Sequence, residues 1–266
     1  MNNLLDQTLQ QLAGRKALIP FVTAGYPSPE MTVDILHTLV DQGADVIELG
    51  MPFSDPMADG PVIQKASEQA IEQGTNLKQT LSMVAEFRQT NQTTPVVLMG
   101  YLNPVESMGY ASFVQQASDA GVNGVLLVDS PPEESAEIQK QLHSHQLRQI
   151  FLVAPTTSER REKLICEMAQ GFIYYVALKG VTGAADLDSE TVNTAVQGLK
   201  NKTKLPVAVG FGVKDAQSAV AVAAQADAVV IGSALISALS DCKTKQQAQQ
   251  KVAEFIQPIR SALDSL

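Results

Sequence analysis

Two spacings of apolar residues alternate along the chain. Short, nearly continuous apolar runs, rich in β-branched residues, occupy 17–23, 44–49, 95–99, 124–128, 149–153, 172–177, 205–209 and 227–231. Runs of this length and texture predict strands of a parallel sheet that is covered on both faces. Between them, apolar residues recur at three- and four-residue intervals. Met31, Ile35, Leu36, Leu39 and Val40 form one stripe, Leu77, Leu81, Val84 and Phe87 a second, and Val252, Phe255, Ile256 and Ile259 a third. Such stripes predict amphipathic helices. Ser28-Pro29-Glu30 supplies a cap, a proline at the first helical position and an early acid, and Ser130-Pro131-Pro132-Glu133-Glu134 predicts a second helix start of the same kind. Residues 4–13 predict a helix ahead of the first strand.

Eight strands, each followed by a helix, predict an α/β fold: a (β/α)8 or TIM barrel with an extra N-terminal helix, one domain over residues 1–266. The length agrees with the roughly 250 residues such a barrel needs. An open doubly wound sheet would call for a glycine-rich turn after the first strand. Thr23-Ala24-Gly25-Tyr26-Pro27 is not a GxGxxG turn.

Composition narrows the function classes. The net charge of −9 and the lack of any Lys/Arg cluster argue against a nucleic-acid partner. An acidic chain can still take a phosphorylated metabolite where backbone N–H groups are aimed at the anion. Cys166 and Cys242 sit in no CxxC or Cys/His spacing, which speaks against zinc and against a disulfide framework. No apolar run approaches a membrane span, and Met1-Asn2-Asn3-Leu4-Leu5-Asp6 lacks the regions of a signal peptide, so the expectation is a soluble, cytoplasmic enzyme.

Barrel enzymes carry their chemistry at the C-terminal strand ends. The second strand closes on Val46-Ile47-Glu48-Leu49-Gly50. Alternation puts Glu48 on the face of Val46 and opposite to Ile47 and Leu49, so Glu48 is expected to point into the barrel mouth. Apolar surroundings would raise its pKa, as an acid/base working near neutrality requires. Pro52-Phe53-Ser54-Asp55-Pro56-Met57-Ala58-Asp59-Gly60-Pro61 then predicts a stiff loop that presents Asp59 just before the next helix. Two carboxylates in unlike settings over one cavity can divide into an acid/base and a charge stabiliser. Asp55 reads equally well as a turn former.

The opposite end of the chain carries glycine pairs: Gly180-Val181-Thr182-Gly183 after the sixth strand, Gly210-Phe211-Gly212 after the seventh, and Gly232-Ser233 opening a helix after the eighth. Glycines let backbone approach an anion, and a helix start aims N–H groups at it, so these loops predict a phosphate site. His37, His143 and His145 fall on helical segments away from strand ends, which leaves no histidine triad or metal cluster. Glu48, Asp55 and Asp59 could instead hold a divalent cation, and Lys179 could form a Schiff base in an aldolase. A non-catalytic activator of a partner chain is the reading from another class.

The motifs Pro20-Phe21-Val22-Thr23-Ala24-Gly25, Glu48-Leu49-Gly50, Pro52-Phe53-Ser54-Asp55-Pro56, Ala58-Asp59-Gly60-Pro61, Gly180-Val181-Thr182-Gly183, Gly210-Phe211-Gly212-Val213 and Gly232-Ser233-Ala234 resemble the tryptophan synthase alpha chain family over essentially the whole chain. The resemblance implies a lyase of tryptophan biosynthesis that cleaves indole-3-glycerol phosphate to indole and glyceraldehyde 3-phosphate by a retro-aldol step. It implies Glu48 as the acid/base and Asp59 as the stabiliser of positive charge at the indole N–H. It further implies Phe21, Tyr101, Leu126 and Tyr174 around the indole ring, Gly183, Gly212, Gly232 and Ser233 at the phosphate, and Thr182 closing a loop over Asp59. No cofactor is implied for this chain. A beta chain carrying pyridoxal phosphate is implied as partner in an alpha2beta2 heterotetramer, with the loop at 52–60, Asn103 and Asp129-Ser130-Pro131-Pro132 at the surfaces involved. One departure is Ala177, where many members carry serine.

Overall fold

The computed structural model describes residues 3–12, 14–176, 189–210 and 212–266. Eight strands form a closed, all-parallel barrel in chain order: β1 (Ala17–Thr23), β2 (Ile47–Gly50), β3 (Val96–Gly100), β4 (Gly124–Leu127), β5 (Arg148–Val153), β6 (Ile173–Val176), β7 (Val207–Gly210) and β8 (Ala228–Ile231). Closure comes from β1 pairing with β8, Leu18 opposite Val229 and Ile19 opposite Val230. Each predicted apolar run overlaps one of these strands, and β2, β3, β5 and β7 each reach one residue beyond it.

The helices are α1 (Leu4–Gln11), α2 (Thr32–Asp41), α3 (Pro61–Glu72), α4 (Leu77–Arg88), α5 (Leu102–Met108), α6 (Tyr110–Ala120), α7 (Ala136–Ser144), α8 (Glu159–Met168), α9 (Ser189–Lys200), α10 (Ala216–Ala223), α11 (Ser233–Leu239) and α12 (Lys245–Asp264). Among the described residues, three connections carry a second α-helix: α4 after α3, α6 after α5, and α12 after α11. The predicted stripes are buried where they should be. Ile35, Leu36, Leu39, Leu81, Val84, Phe87, Val252, Ile256 and Ile259 all lie in the layer between strands and helices. Two predicted starts differ in detail. Pro29 opens a short 3-10 turn over Pro29–Met31, and α2 begins after it, because the Ser28 hydroxyl bonds the Glu30 carboxylate and makes no cap bond. Likewise Pro131 and Pro132 form turns in front of α7, where Ser130 and Ser135 share a hydroxyl–hydroxyl bond of 2.9 Å.

Side chains alternate between two cores. Ile47 and Leu49 of β2 pack outward against the helices, while Ala17, Ile19, Val46, Val97, Leu126, Ile150, Phe172, Tyr174, Ala208, Ala228 and Val230 fill the barrel. The bottom of that interior is plugged by α1. Leu5 is fully buried in the inner core, with Leu9 and Leu12 packed against it. The Asn3 amide fixes this plug by donating to the carbonyls of Asn123 at 2.9 Å and Gln146 at 2.6 Å, and its oxygen accepts from the Leu5 N–H at 2.8 Å. Arg148, at the start of β5, pairs with Asp6 at 2.6 Å. Among the described residues, the N-terminal end of the barrel is therefore filled. Among the described residues, no helix is long and apolar enough to cross a membrane.

Candidate active site at the barrel mouth

Glu48 points inward, as the alternation along β2 requires. In the ladder it stands between Phe21 of β1 and Val97 of β3. Only 1% of its surface is exposed, and neither carboxyl oxygen has a hydrogen-bond partner among the described residues. A carboxylate stripped of water and of donors is strongly disfavoured, so the group keeps its proton. Burial, with a smaller contribution from the nearby charge of Asp59, pushes its pKa up to about 8. At neutral pH Glu48 is accordingly a carboxylic acid with a proton to give.

Asp59 arrives on the loop between β2 and α3, and the loop is tied to itself. The Met57 N–H donates to the Asp55 carbonyl at 2.8 Å and the Asp59 N–H to that of Pro56 at 3.0 Å. Gln64, one turn into α3, reaches back to the Asp59 carbonyl at 2.8 Å. Pro61 then starts α3 with Gly60 as its cap residue. Asp55 lies exposed in this loop, its carboxylate accepting from the Ser54 hydroxyl and its backbone carbonyl from the Met57 N–H.

The carboxylate of Asp59 is held from the side by Tyr101, the residue that follows β3. The Tyr101 hydroxyl donates to Asp59 Oδ2 at 3.0 Å and accepts from the Ala58 N–H at 3.1 Å. Partial burial raises the pKa of Asp59, and the Tyr101 bond opposes that rise by favouring the ionised form. Phe53 packs on the Tyr101 ring with centroids 5.3 Å apart.

Phe21, Met51, Met99, Tyr101 and Val128 make the apolar wall of a cavity at the mouth, and Thr23 and Asp59 contribute polar groups to it. Gly50 lies on the wall too, and Glu48 precedes it by two residues on the same face, one layer deeper in the barrel. Gly50 is required there: a Cβ at that position would come within 2.6 Å of Phe21 Cζ. Tyr174 approaches from the far side on β6. Its phenol lies over Gly210, where any side chain would overlap it. Burial first, then the charges of Glu48 and Asp59, raise the Tyr174 pKa well above the ordinary phenol value, so it is a neutral neighbour of both acids.

The glycine end of β8 abuts this wall at Phe21, and that of β7 lies against Tyr174. Gly212 adopts φ +75°, a backbone conformation that side chains other than glycine rarely accept. Gly232 is the cap residue of α11, and Ser233 is its first, exposed residue. Helix starts leave their first N–H groups without intrahelical acceptors. A Cβ on Gly232 would lie 3.3 Å from Phe21 Cδ1, so one aromatic ring abuts both Gly50 and the start of α11.

Of the predicted site residues, the structure brings Phe21, Asp59 and Tyr101 into one wall, with Glu48 and Tyr174 adjoining and Gly232 touching Phe21. Leu126, two residues before Val128, is fully buried in the barrel interior and is not part of the cavity wall. Thr182 and Gly183, together with Ala177, Lys179, Gly180 and Phe211, lie outside the described residues. Thr23, Met99 and Val128 were not anticipated. Counting in twos from Phe21, Val97 and Leu126 would have found them, but a threonine, a methionine and a valine at strand ends read as ordinary strand residues. Among the described residues, no three His, Cys, Asp or Glu side chains cluster to hold a metal ion. His37 lies on α2, with His143 and His145 on and just after α7, away from the mouth.

A family model described as tryptophan synthase alpha chain matches residues 7–264. The chain is 56% identical over 265 residues to the tryptophan synthase alpha chain of Laribacter hongkongensis, covering 99% of this chain and 100% of the relative. Among solved structures, tryptophan synthase subunit alpha from Legionella pneumophila superposes with a TM-score of 0.93 at 42% identity, each chain covered in full. A chain of the tryptophan synthase a2b2 complex of Pyrococcus furiosus gives a TM-score of 0.84 at 36% identity, covering 91% of this chain and 97% of that one.

Proposed function

This chain belongs to the tryptophan synthase alpha chain family, and from that premise we propose how its barrel mouth cleaves indole-3-glycerol phosphate to indole and glyceraldehyde 3-phosphate. The observation that carries the proposal is a buried, protonated Glu48 on the inner face of β2 within electrostatic reach of a partly solvated, hydrogen-bonded Asp59 that lines the small cavity above it.

The bond to be broken joins indole C3 to the glycerol carbon that bears a hydroxyl. An aromatic carbon leaves poorly as a carbanion, so C3 must first gain a proton. Glu48 gives that proton, and the ring becomes an iminium whose positive charge resides at nitrogen. Asp59 accepts the N–H and stabilises the cation. The Glu48 carboxylate then takes the proton of the glycerol hydroxyl. The oxygen's electrons form the aldehyde C=O, the C–C bond breaks, and its pair returns to the ring and neutralises the nitrogen. Glu48 ends with its proton restored. A carboxyl with pKa of about 8 suits both halves, since it is protonated at the start and its conjugate base is strong enough to attack a hydroxyl.

Phe21, Tyr101 and Tyr174 flank the indole in this reading, with Leu126 supporting them from below. Gly212, Gly232, Ser233 and the Gly183 backbone receive the phosphate, for which the bare N–H groups at the start of α11 are suited. The family resemblance assigns Thr182 to the same site. The chain itself needs no cofactor for this acid/base chemistry. Its partner is a beta chain carrying pyridoxal phosphate, in an alpha2beta2 assembly in the cytoplasm. The Asp59 loop, Asn103 and the turn at 129–132 form the docking side, and Met57, 80% exposed beside Asp59, fits such a contact. Indole release by the purified chain, measured with and without a beta chain, tests the reading: slow release alone and faster release with the partner are expected, and no release under either condition refutes it.

A further inference from the structure

We infer that Tyr101 is a positioning residue for the cleavage, one that holds a single oxygen of Asp59 and so leaves the other free to meet the ring nitrogen. The inference rests on the reading above that Asp59 receives the indole N–H, and it gives Tyr101 a task beyond forming part of the apolar wall.

A phenol has one hydrogen to donate and accepts through its lone pairs. Here the Ala58 N–H occupies an acceptor position at 3.1 Å, and the only hydrogen goes to Asp59 Oδ2 at 3.0 Å. The hydroxyl is thereby fixed in torsion as well as in place. The ring cannot swing either, since it is 2% exposed and Phe53 packs on it. Its backbone is anchored at a strand end, where the next residue, Leu102, donates its N–H to Asp129 Oδ1 at 2.7 Å. Asp59, by contrast, belongs to a surface loop. A bond from a strand-end residue to a loop carboxylate transfers the precision of the barrel to a group that would otherwise follow its loop.

A wall residue and a positioning residue make different demands. An indole-contacting ring needs only its carbon surface, which phenylalanine supplies in full. The hydroxyl matters only if it acts through Asp59. Burial and the Asp59 charge both raise the proton affinity of the phenol, so it remains a neutral donor and takes no part in proton transfer itself.

The test is Tyr101→Phe, assayed for indole release across pH beside Asp59→Asn and the double variant, with thermal melts to confirm folding. Loss of a hydrogen bond to a charged group predicts kcat reduced roughly 10- to 100-fold, with KM within about threefold. The acid limb of the pH profile should move to higher pH, because Asp59 loses the donor that favours its ionised form. The double variant should be no slower than Asp59→Asn, since Tyr101 has nothing left to position. Should Tyr101→Phe fold poorly, 3-fluorotyrosine at position 101 keeps the ring and strengthens the donor, and should move the acid limb to lower pH. Wild-type kcat and pH profile in Tyr101→Phe, an unmoved limb with fluorotyrosine, or a double variant slowed by the product of the single effects overturns this inference alone. A wild-type chain that releases no indole, or Asp59→Asn with undiminished turnover, overturns the functional reading and this inference with it.

Discussion

Phe21 and Glu48 are direct partners in the ladder between β1 and β2, so an aromatic ring and a buried acid stand side by side on the inner face of the barrel. The ring reaches over Gly50, two residues beyond Glu48 on the same face, at a distance that admits no methyl group. The shape of the cavity above the acid thus depends on the absence of one side chain. Gly50→Ala should push the Phe21 ring aside, destabilise the chain by about 1–3 kcal/mol through overpacking, and raise KM for indole-3-glycerol phosphate more than it lowers kcat. Denaturant melts and steady-state kinetics check both effects. Unchanged KM would mean that Phe21 does not border the bound ring.

A second expectation concerns the alkaline side of the pH profile. The proposed first step needs protonated Glu48, so kcat/KM should fall as pH rises through about 8. The charge of Asp59 contributes to that high value. Asp59→Asn removes the charge and should move the alkaline limb to lower pH while lowering turnover overall. Because the two acids interact, the limbs belong to the pair. The direction of the shift is the test, and a limb that stays or rises contradicts the electrostatic link.

Stability carries the same signature. Folded Glu48 holds its proton to about pH 8, whereas its unfolded reference value is 4.5. Between those values the folded state binds one more proton than the unfolded state, so stability declines as pH rises, by up to about 1.4 kcal/mol per unit from this group. Below the unfolded value both states are protonated and the group contributes no slope. Glu48→Gln cannot ionise and loses that slope. Urea melts at pH 5 and pH 8.5 should show a smaller decline for the variant than for the wild type. Equal declines would place Glu48 in a solvated setting.

Much of this site was legible in the chain because its logic is local. Period-two alternation around Glu48 separates Val46 from Ile47 and Leu49, and the inner and outer cores divide the same way. The prolines and Asp-Gly-Pro of the following loop predict a stiff presentation of Asp59, and the loop's own hydrogen bonds supply it. What local pattern could not reveal depends on contacts distant in sequence. Leu5 seals the barrel floor through Asn3, whose amide bonds to carbonyls 120 and 143 residues away. Arg88, an ordinary last-turn cation by sequence, is buried and donates to the Gly121 carbonyl at 2.9 Å and the Thr94 carbonyl at 2.7 Å. Met99 and Val128 turn from core into cavity wall only because the strands end at the mouth. The order of α3 and α4 also escaped periodicity, since the strong stripe at 77–87 belongs to the second of two helices.

The central claim is that Glu48 transfers the proton on which bond cleavage depends, and Glu48→Gln measured in two ways tests it most directly. Indole release should fall by about a thousandfold or more, as loss of a general acid/base requires, while an analogue lacking the hydroxyl that becomes the aldehyde oxygen should bind within a few-fold of its wild-type affinity. Near wild-type turnover in that folded, analogue-binding variant would contradict the account.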